Sequence, residues 1–463
     1  MSHRDFGSVA VRLNASCLKL ALGWLLREVD WSSVTFRKDC TWTPRLLTAV
    51  SLLWAWSDEQ TLVERFASAR RLVDYLFSPA GPLSGSYQCF TKLLRRWTDV
   101  LIFRLQAALR ERLKQELAGS WCVLGFVMFG VDGSRCELPR TRSHERAYSP
   151  TRHRKKKQSR KGRTHRDQAH ARKANSPQLW LTTMWHVGTG LPWDWRIGPC
   201  DSSERAHLLE MLPHLPPEAL VTADAGFVGY EYLRAILDSQ RQLLIRVGSN
   251  VRLLKKLGYA RESGHTVYLW PDREAARGQP PIVLRLVQAH NGQHPVFLVT
   301  SVLSEKRLTD RQVIELYARR WGIELFYRHL KQTFQRRKLR STSAENALLE
   351  LHWSLAGLWA MALYALLQFQ HAGLPPRRLS IAQTLRAFRR MMRDYLHPAE
   401  RGRTLRERLR AALIDPYQRR NKTSRNYPRK KQESPAGPPQ VRLATNTQIK
   451  LAQSLRREPQ QKG

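Results

Sequence analysis

Tyr317, Arg320, Glu324 and Lys331 fall within one run, Tyr-Ala-Arg-Arg-Trp-Gly-Ile-Glu-Leu-Phe-Tyr-Arg-His-Leu-Lys, at intervals that a helix turns into a stripe. At roughly 100° per residue the four side chains share an arc of about 60°, so one carboxylate is flanked by two cations and a phenol. Such a face suits phosphates. Two other acids carry a related signal. Asp132 follows the apolar run Cys122–Val131 and precedes Gly133-Ser134, and Asp224 follows Leu220-Val-Thr-Ala223 and opens Asp-Ala-Gly-Phe. Strand ends of this kind converge on one edge of an α/β sheet, where such folds place ligands. Three acids from three elements could hold two Mg²⁺ ions about 3.5–4 Å apart, the device of phosphoryl transfer, with Mn²⁺ as a substitute. Singly, each Asp before Gly is also an ordinary turn former or helix cap. Glu137, Asp201 and Glu315 compete on pattern alone; Glu315 lies roughly 180° around the same helix from Glu324, which favours Glu324.

The elements that must position these acids are readable. Thr309-Asp-Arg-Gln312 is a capping box, and Leu316, Ile323, Leu330 and Phe334 lay an apolar stripe beside the polar one, so the polar face borders a core. Gly322 inside this helix costs about 1 kcal/mol relative to Ala and marks a close approach. Cys122–Val131 reads as a strand covered on both faces and ending at Asp132. Gln178–Val187 and the run through Trp193–Ile197 flank Gly188-Thr-Gly190 as a hairpin. A helix opened by Asp201-Ser-Ser-Glu204, the strand Leu220–Ala223, a helix near Tyr230–Leu237 and the strand Gln242–Val247 complete a mixed α/β sheet. Between about Arg252 and Ser301 the pattern returns to short strands, a β-rich insertion whose last strand rejoins the main sheet.

The N-terminal part, residues 1–118, reads as all-helical and as the DNA-end-binding domain. Ser86–Trp97 puts Lys92, Arg95 and Arg96 on a helix after a turn, as a helix-turn-helix reader would; a basic outer face on a packing helix is the plainer account. The balance of 78 Lys+Arg against 38 Asp+Glu, a formal net charge of +40, favours a polyanionic partner, nucleic acid first. The six cysteines show no CxxC pair, which argues against a zinc finger or a disulfide framework and suits a reducing cytosol. No export signal is visible at the N-terminus. Leu351–Gln370 carries no formal charge, yet it stands alone and holds His352, Ser354, Gln368 and Gln370, so it reads as a buried helix rather than a membrane span.

These residues resemble the DDE transposases of bacterial insertion sequences, in the subgroup with a Tyr-Arg-Glu-Lys signature. Tyr317, Arg320, Glu324 and Lys331 keep that signature's spacing, Asp224-Ala-Gly-Phe227 resembles the second-aspartate motif and Asp132-Gly-Ser134 the first. The resemblance covers about Trp121 to Gln370. It implies a ribonuclease-H-like catalytic core over 119–251 and 302–397, interrupted by the β-rich insertion over 252–301. It further implies Asp132, Asp224 and Glu324 as ligands of two Mg²⁺ ions, and Tyr317, Arg320 and Lys331 as phosphate contacts near a transposon end. The implied reaction is cleavage to free a 3′-hydroxyl, then attack of that hydroxyl on target DNA. The implied partners are double-stranded DNA, both ends and target, and a second protomer in a synaptic homodimer, without a membrane, in the bacterial cytosol beside the nucleoid. Some relatives stack a Trp of the insertion on a flipped base; for Trp270 a core position is the safer reading.

Residues 150–175 depart from the expected pattern. From Arg152 to Lys173 eleven Lys or Arg stand against Asp167 alone, and Arg154, Lys155, Lys156, Lys157, Arg160 and Lys161 are expected to grip backbone phosphates without sequence preference. From 398 to 463 the chain turns basic and rich in Pro and Gln and reads as a disordered tail. A related nuclease without strand transfer, or an inactive transposase-derived DNA-binding protein, would use much of the same sequence.

Overall fold

The computed structural model describes residues 17–37, 40–77, 81–149, 176–290, 294–394, 404–415 and 437–457. The basic residues Arg154, Lys155, Lys156, Lys157, Arg160 and Lys161 lie outside them. The N-terminal part is helical: α1 (17–26), α2 (Pro44–Trp56), α3 (Leu62–Phe77) and α4 (Tyr87–Glu116). Thr43 caps α2, with Pro44 at its first position, and Ser86 caps α4. Lys92, Arg95 and Arg96 lie near the start of the 30-residue α4, which follows the turn at 81–86. Arg95 on it pairs with Glu345 at 2.9 Å, and Arg96 lies over Trp97.

One mixed sheet runs through the rest, with the helices α5 (Arg142–Tyr148), α7 (Tyr230–Asp238) and α8 (Asp272–Ala276) among its connections. Its strands are β1 (Met128–Glu137), β2 (Gln178–His186), β3 (Leu191–Pro199), β4 (Leu220–Ala223), β5 (Gln242–Val247), β6 (Arg252–Lys255), β7 (Thr266–Leu269), β8 (Ile282–His290), β9 (Pro295–Thr300) and β10 (Gln440–Leu443). They lie in the order 10-6-7-8-9-5-4-1-2-3. The half ordered 3-2-1-4-5, an antiparallel meander followed by two parallel neighbours, is the ribonuclease-H-like arrangement. The insertion extends the same sheet: β9 pairs antiparallel with β5, and β8, β7 and β6 follow. Trp270 is buried there and donates to the Gln279 carbonyl at 2.7 Å, a core role.

Two expectations shift. Strand β1 starts six residues later than the apolar run and continues to Glu137, so Asp132 sits within the strand instead of after it. The first part of the run closes a tight turn, Val123 and Phe126 exchanging backbone hydrogen bonds with Leu124 at φ 50°. The nine-residue β2 then pairs with β1 along its whole length and holds the polar residues extended. The tail also departs from its composition. Residues 404–415 include α13 (Leu405–Arg410), capped by Thr404, and β10 adds in parallel to β6 before α14 (Asn446–Arg457), whose Ala452 is buried. Strand pairing and a few apolar contacts outweigh the polar composition.

The core is organised around α11 (Ala344–Gln370), which contains the apolar segment and is covered on nearly all sides. Trp56 of α2 donates to the Gly357 carbonyl at 2.8 Å, and Trp353 donates to Thr98 of α4 at 3.0 Å. Buried Glu350 accepts from the backbone N–H groups of Arg340 and Ser341 and faces Arg336 at 3.7 Å. A helix surrounded by protein needs no polar face, which explains its membrane-like reading. No helix among the described residues is long and apolar enough to cross a membrane. The core is also tied to the N-terminal helices by Asp194 on β3, which meets Arg110 of α4 at 3.5 Å, Arg196 at 3.0 Å and His214 at 2.5 Å.

Candidate active site

Side chains alternate across a strand, so Gly130, Asp132 and Ser134 of β1 share one face. Onto it packs the segment carrying the Tyr-Arg-Glu-Lys residues. This segment is not one regular helix: α9 (Asp310–Arg319) and α10 (Gly322–Arg328) are separated at Arg320-Trp321, and His329–Thr333 widens into a π turn. Across the break, Ile323 and Glu324 donate to the carbonyls three residues back. The tightening brings Gly322 against β2, where an added Cβ would lie 2.0 Å from Cη2 of Trp185. The capping box of Thr309 and Gln312 starts α9 as expected.

Two hydrogen bonds fasten this segment to β1. The Tyr327 hydroxyl donates to the Asp132 carbonyl oxygen at 2.6 Å, and Lys331 Nζ donates to Ser134 Oγ at 2.7 Å. Strand β4 runs parallel beside β1 with Thr222 opposite Gly130, and Asp224 stands directly after its end, near enough for its charge to act on Asp132. Asp224 caps the turn Ala225–Phe227, its Oδ1 accepting from Gly226 N at 2.8 Å, and Arg205 holds that turn through the Gly226 carbonyl at 2.7 Å.

Burial pushes the Asp132 carboxyl up to about 6; the charges of Asp224 and Glu324 add to this, while the Gly133 N–H and Arg320 oppose it. Asp132 is therefore the common electrostatic neighbour of acids from two other elements. Glu324 itself is exposed in the first turn of α10, at the rim of a groove of about 510 Å³ lined by Trp185, Trp321, Leu325 and His329. Among the described residues no three His, Cys, Asp or Glu side chains are drawn together around one ion position. The donor set still fits hard divalent cations: it consists of carboxylates, and the half-buried Asp132 has two like charges beside it.

The other signature residues sit in the same place. Arg320 is buried, with its guanidinium 5.4 Å from the centre of the Tyr317 ring and 5.6 Å from that of Trp321. Burial raises the Tyr317 phenol, with Arg320 opposing. Of the competing acids, Glu315 pairs with Arg319 and Glu137 faces Arg337 at 3.6 Å, both away from Asp132. A fourth acid, which the sequence shows only as part of a helix start, lies close by. Glu204, the first residue of α6 (Glu204–Met211), occupies the space over Gly133, where a Cβ would lie 2.2 Å from its Oε1. Burial, then Asp132 and Asp224, push its carboxyl up to about 7. The one sequence hint was Gly133 itself, a glycine inside a strand where something approaches closely.

The sheet is ribonuclease-H-like, with Asp132 on β1, Asp224 directly after β4 and Glu324 on α10 packed against it. Residues 128–359 match the Transposase DDE domain, and the chain belongs to that family. It is similar to the Transposase InsG for insertion sequence element IS4 of Escherichia coli (strain K12), 24% identical over 284 residues. That match spans 59% of this chain and 59% of the relative. Among solved structures it is similar to a piggyBac transposase synaptic complex with hairpin DNA, at 14% identity and a TM-score of 0.40 over 90% of this chain and 88% of the other.

Proposed function

We propose that the chain is a DNA transposase that cleaves at the ends of its element and joins the freed 3′-hydroxyl to target DNA, acting on nucleoid DNA in a bacterial cytoplasm. The observation that carries this is Asp132 as shared neighbour of Asp224 and Glu324. These three carboxylates would hold a pair of divalent ions, Mg²⁺ or Mn²⁺. Bound there, the ions supply activation of the attacking oxygen and neutralisation of charge on the leaving one.

The chain's own residues do the rest. Lys331, which donates to the neutral Ser134 hydroxyl, brings its ammonium beside the acids for a DNA phosphate. Arg320, buried beside the rings of Tyr317 and Trp321, is held in place before DNA arrives, so less conformational entropy is lost on gripping a phosphate. Tyr327 fixes the helix carrying Glu324 to the strand carrying Asp132. The helical N-terminal part and residues Arg154, Lys155, Lys156, Lys157, Arg160 and Lys161 are proposed to hold the element end, and two protomers to pair two ends.

Purified protein given Mg²⁺ and duplexes bearing the element's ends tests this. Joined products are expected, lost with EDTA and with Glu324→Gln while binding persists. Cleavage without joining would leave only a nuclease, and binding without either would remove the enzymatic reading.

A further inference from the structure

A second, separate concentration of positive charge lies on the outer side of the segment that carries Lys331. Helix α12 (Ile381–Asp394) packs on the turn His329–Thr333. Its Arg386, Arg389 and Arg393 fall within an arc of about 60° and span roughly 10 Å along the axis. They line one side of a cavity of about 460 Å³ whose other walls include Asp58, Gln332 and Thr333. Arg386 and Arg393 are exposed. Arg389 is half-buried and donates through Nε to the Trp56 carbonyl at 2.7 Å, which anchors the stripe to the N-terminal helices.

Charge in and behind this cavity does not cancel. Behind it lie the buried guanidinia of Arg65 and Arg336, with Glu350 as their acid; at the mouth Asp58 meets Arg393 at 3.3 Å. In the cavity wall itself three guanidinia, Arg386, Arg389 and Arg393, face the single carboxylate of Asp58. Cations packed this closely repel one another unless an anion joins them. Gln332 and Thr333 add an amide and a hydroxyl, groups that complete a phosphate's hydrogen bonding but would serve an apolar ligand badly. At about 3.4 Å of axial rise per nucleotide on one strand, a stripe of roughly 10 Å matches a few successive phosphates.

We propose that this cavity is a backbone-phosphate site for duplex DNA, in which Arg386 and Arg393 grip one strand without reading its sequence and Thr333 and Gln332 tie the gripped phosphate to the turn that follows Lys331. The inference rests on the reading of the chain as a DNA transposase. Asp58 acts as the stand-in anion, released from Arg393 when a phosphate enters.

The test is a salt titration of binding by the full-length protein and by Arg386→Gln/Arg393→Gln, on a duplex bearing the element end and on one of equal length without it. Arg389 is left intact because its bond to Trp56 is structural. The expected result is a slope of log affinity against log salt smaller by about 1.8, two contacts at about 0.9 each, with several-fold weaker binding at low salt and an unchanged melting temperature. A loss on both duplexes assigns the phosphates to sequence-independent, target-like DNA, and a loss on the end duplex alone assigns them to the element end; either supports the site. Arg386→Lys/Arg393→Lys is expected to keep most of the slope. Wild-type binding matched by the glutamine variant in slope and affinity overturns the site while leaving the transposase reading in place. A wild-type protein that binds neither duplex overturns both.

Discussion

The hydroxyl of Tyr327 donates to the carbonyl oxygen of Asp132 at 2.6 Å, joining the helix that carries Glu324 to the strand that carries the first aspartate. Tyr327 lies three residues after Glu324, on the buried side of α10, so this one bond sets the separation of two acids that are 192 positions apart in the chain. Tyr327→Phe keeps the ring and its packing and deletes the bond. A net loss near 1 kcal/mol of stability is expected, from the one hydrogen bond removed. The larger effect falls on turnover: a small displacement of Glu324 relative to Asp132 lowers the cleavage rate about 10-fold or more, with DNA affinity unchanged. Cleavage at saturating DNA and Mg²⁺, compared with binding by anisotropy, checks this; an unchanged rate shows that the bond does not position the site.

Gly322 tests the other fastening. Two effects oppose each other at this position. Ala in place of Gly inside a helix ordinarily gains about 1 kcal/mol. Here its Cβ would lie 2.0 Å from Trp185, an overlap that costs about 1–3 kcal/mol once neighbours shift. The overlap wins, so Gly322→Ala is expected to lower stability and displace the turn at Arg320-Trp321. Trp185→Phe in the same chain removes the six-membered indole ring that makes the clash and is expected to restore much of the loss, since Trp185 Nε1 has no hydrogen-bond partner to forfeit. Denaturant unfolding of the single and double variants measures both steps; a stabilised Gly322→Ala would mean that α10 is free to move away from β2.

Asp224, the hairpin around Gly188-Thr-Gly190 and the capping box at Thr309 were legible because each depends on neighbours in sequence: a strand end, a turn, a helix start. Asp132 was identified but misplaced by the apolar run before it, because what keeps it extended is pairing with β2, some fifty residues later. The helical stripe was too regular in geometry, since the segment breaks at Arg320-Trp321, where Gly322 lies against Trp185 on another strand. Glu204 and Tyr327 went unseen for the same reason. Their roles come from what lies across from them, and neither the start of α6 nor the buried face of α10 announces a partner on β1. The strand and helix of the tail were hidden by a polar composition that edge pairing with β6 tolerates.

His186, fully buried at the end of β2, gives the fold an acid-sensitive point. Its Nε2 lies 3.0 Å from the Trp121 carbonyl, which can only accept, so Nε2 carries the proton and Nδ1 accepts from Thr189 at 2.8 Å. Burial pushes its pKa down to about 4, with the Trp121 carbonyl opposing. The folded state thus holds a neutral ring where the unfolded chain takes up a proton near 6.5. Its contribution is fully present above about pH 6.5 and is lost as pH falls toward 4, on the order of 3 kcal/mol across that window. His186→Gln is expected to be less stable at pH 7.5 and to show a flatter decline between pH 6.5 and 4 in urea unfolding. A decline as steep as the wild type's would place the acid sensitivity on other groups.

The tail strand offers a test at the opposite end of the sheet. Strand β10 is exposed along its four residues, yet it covers the N–H and C=O groups of β6 that would otherwise form a bare edge. That edge lies six strand spacings from β1, about 29 Å, too far to touch the acids. A chain ending at Asp415 lacks β10 and α14 and is therefore expected to keep its rate of DNA cleavage per folded molecule while associating with itself as concentration rises. Light scattering over a dilution series reads the association directly. Leu254→Lys in the shortened chain puts a charge on the uncovered strand and is expected to return it to the wild type's assembly state, because like charges at close range oppose edge-to-edge pairing. A shortened chain that scatters like the full-length protein at every concentration would show that β6 needs no cover, and that the tail's place on the sheet serves some purpose other than guarding its edge.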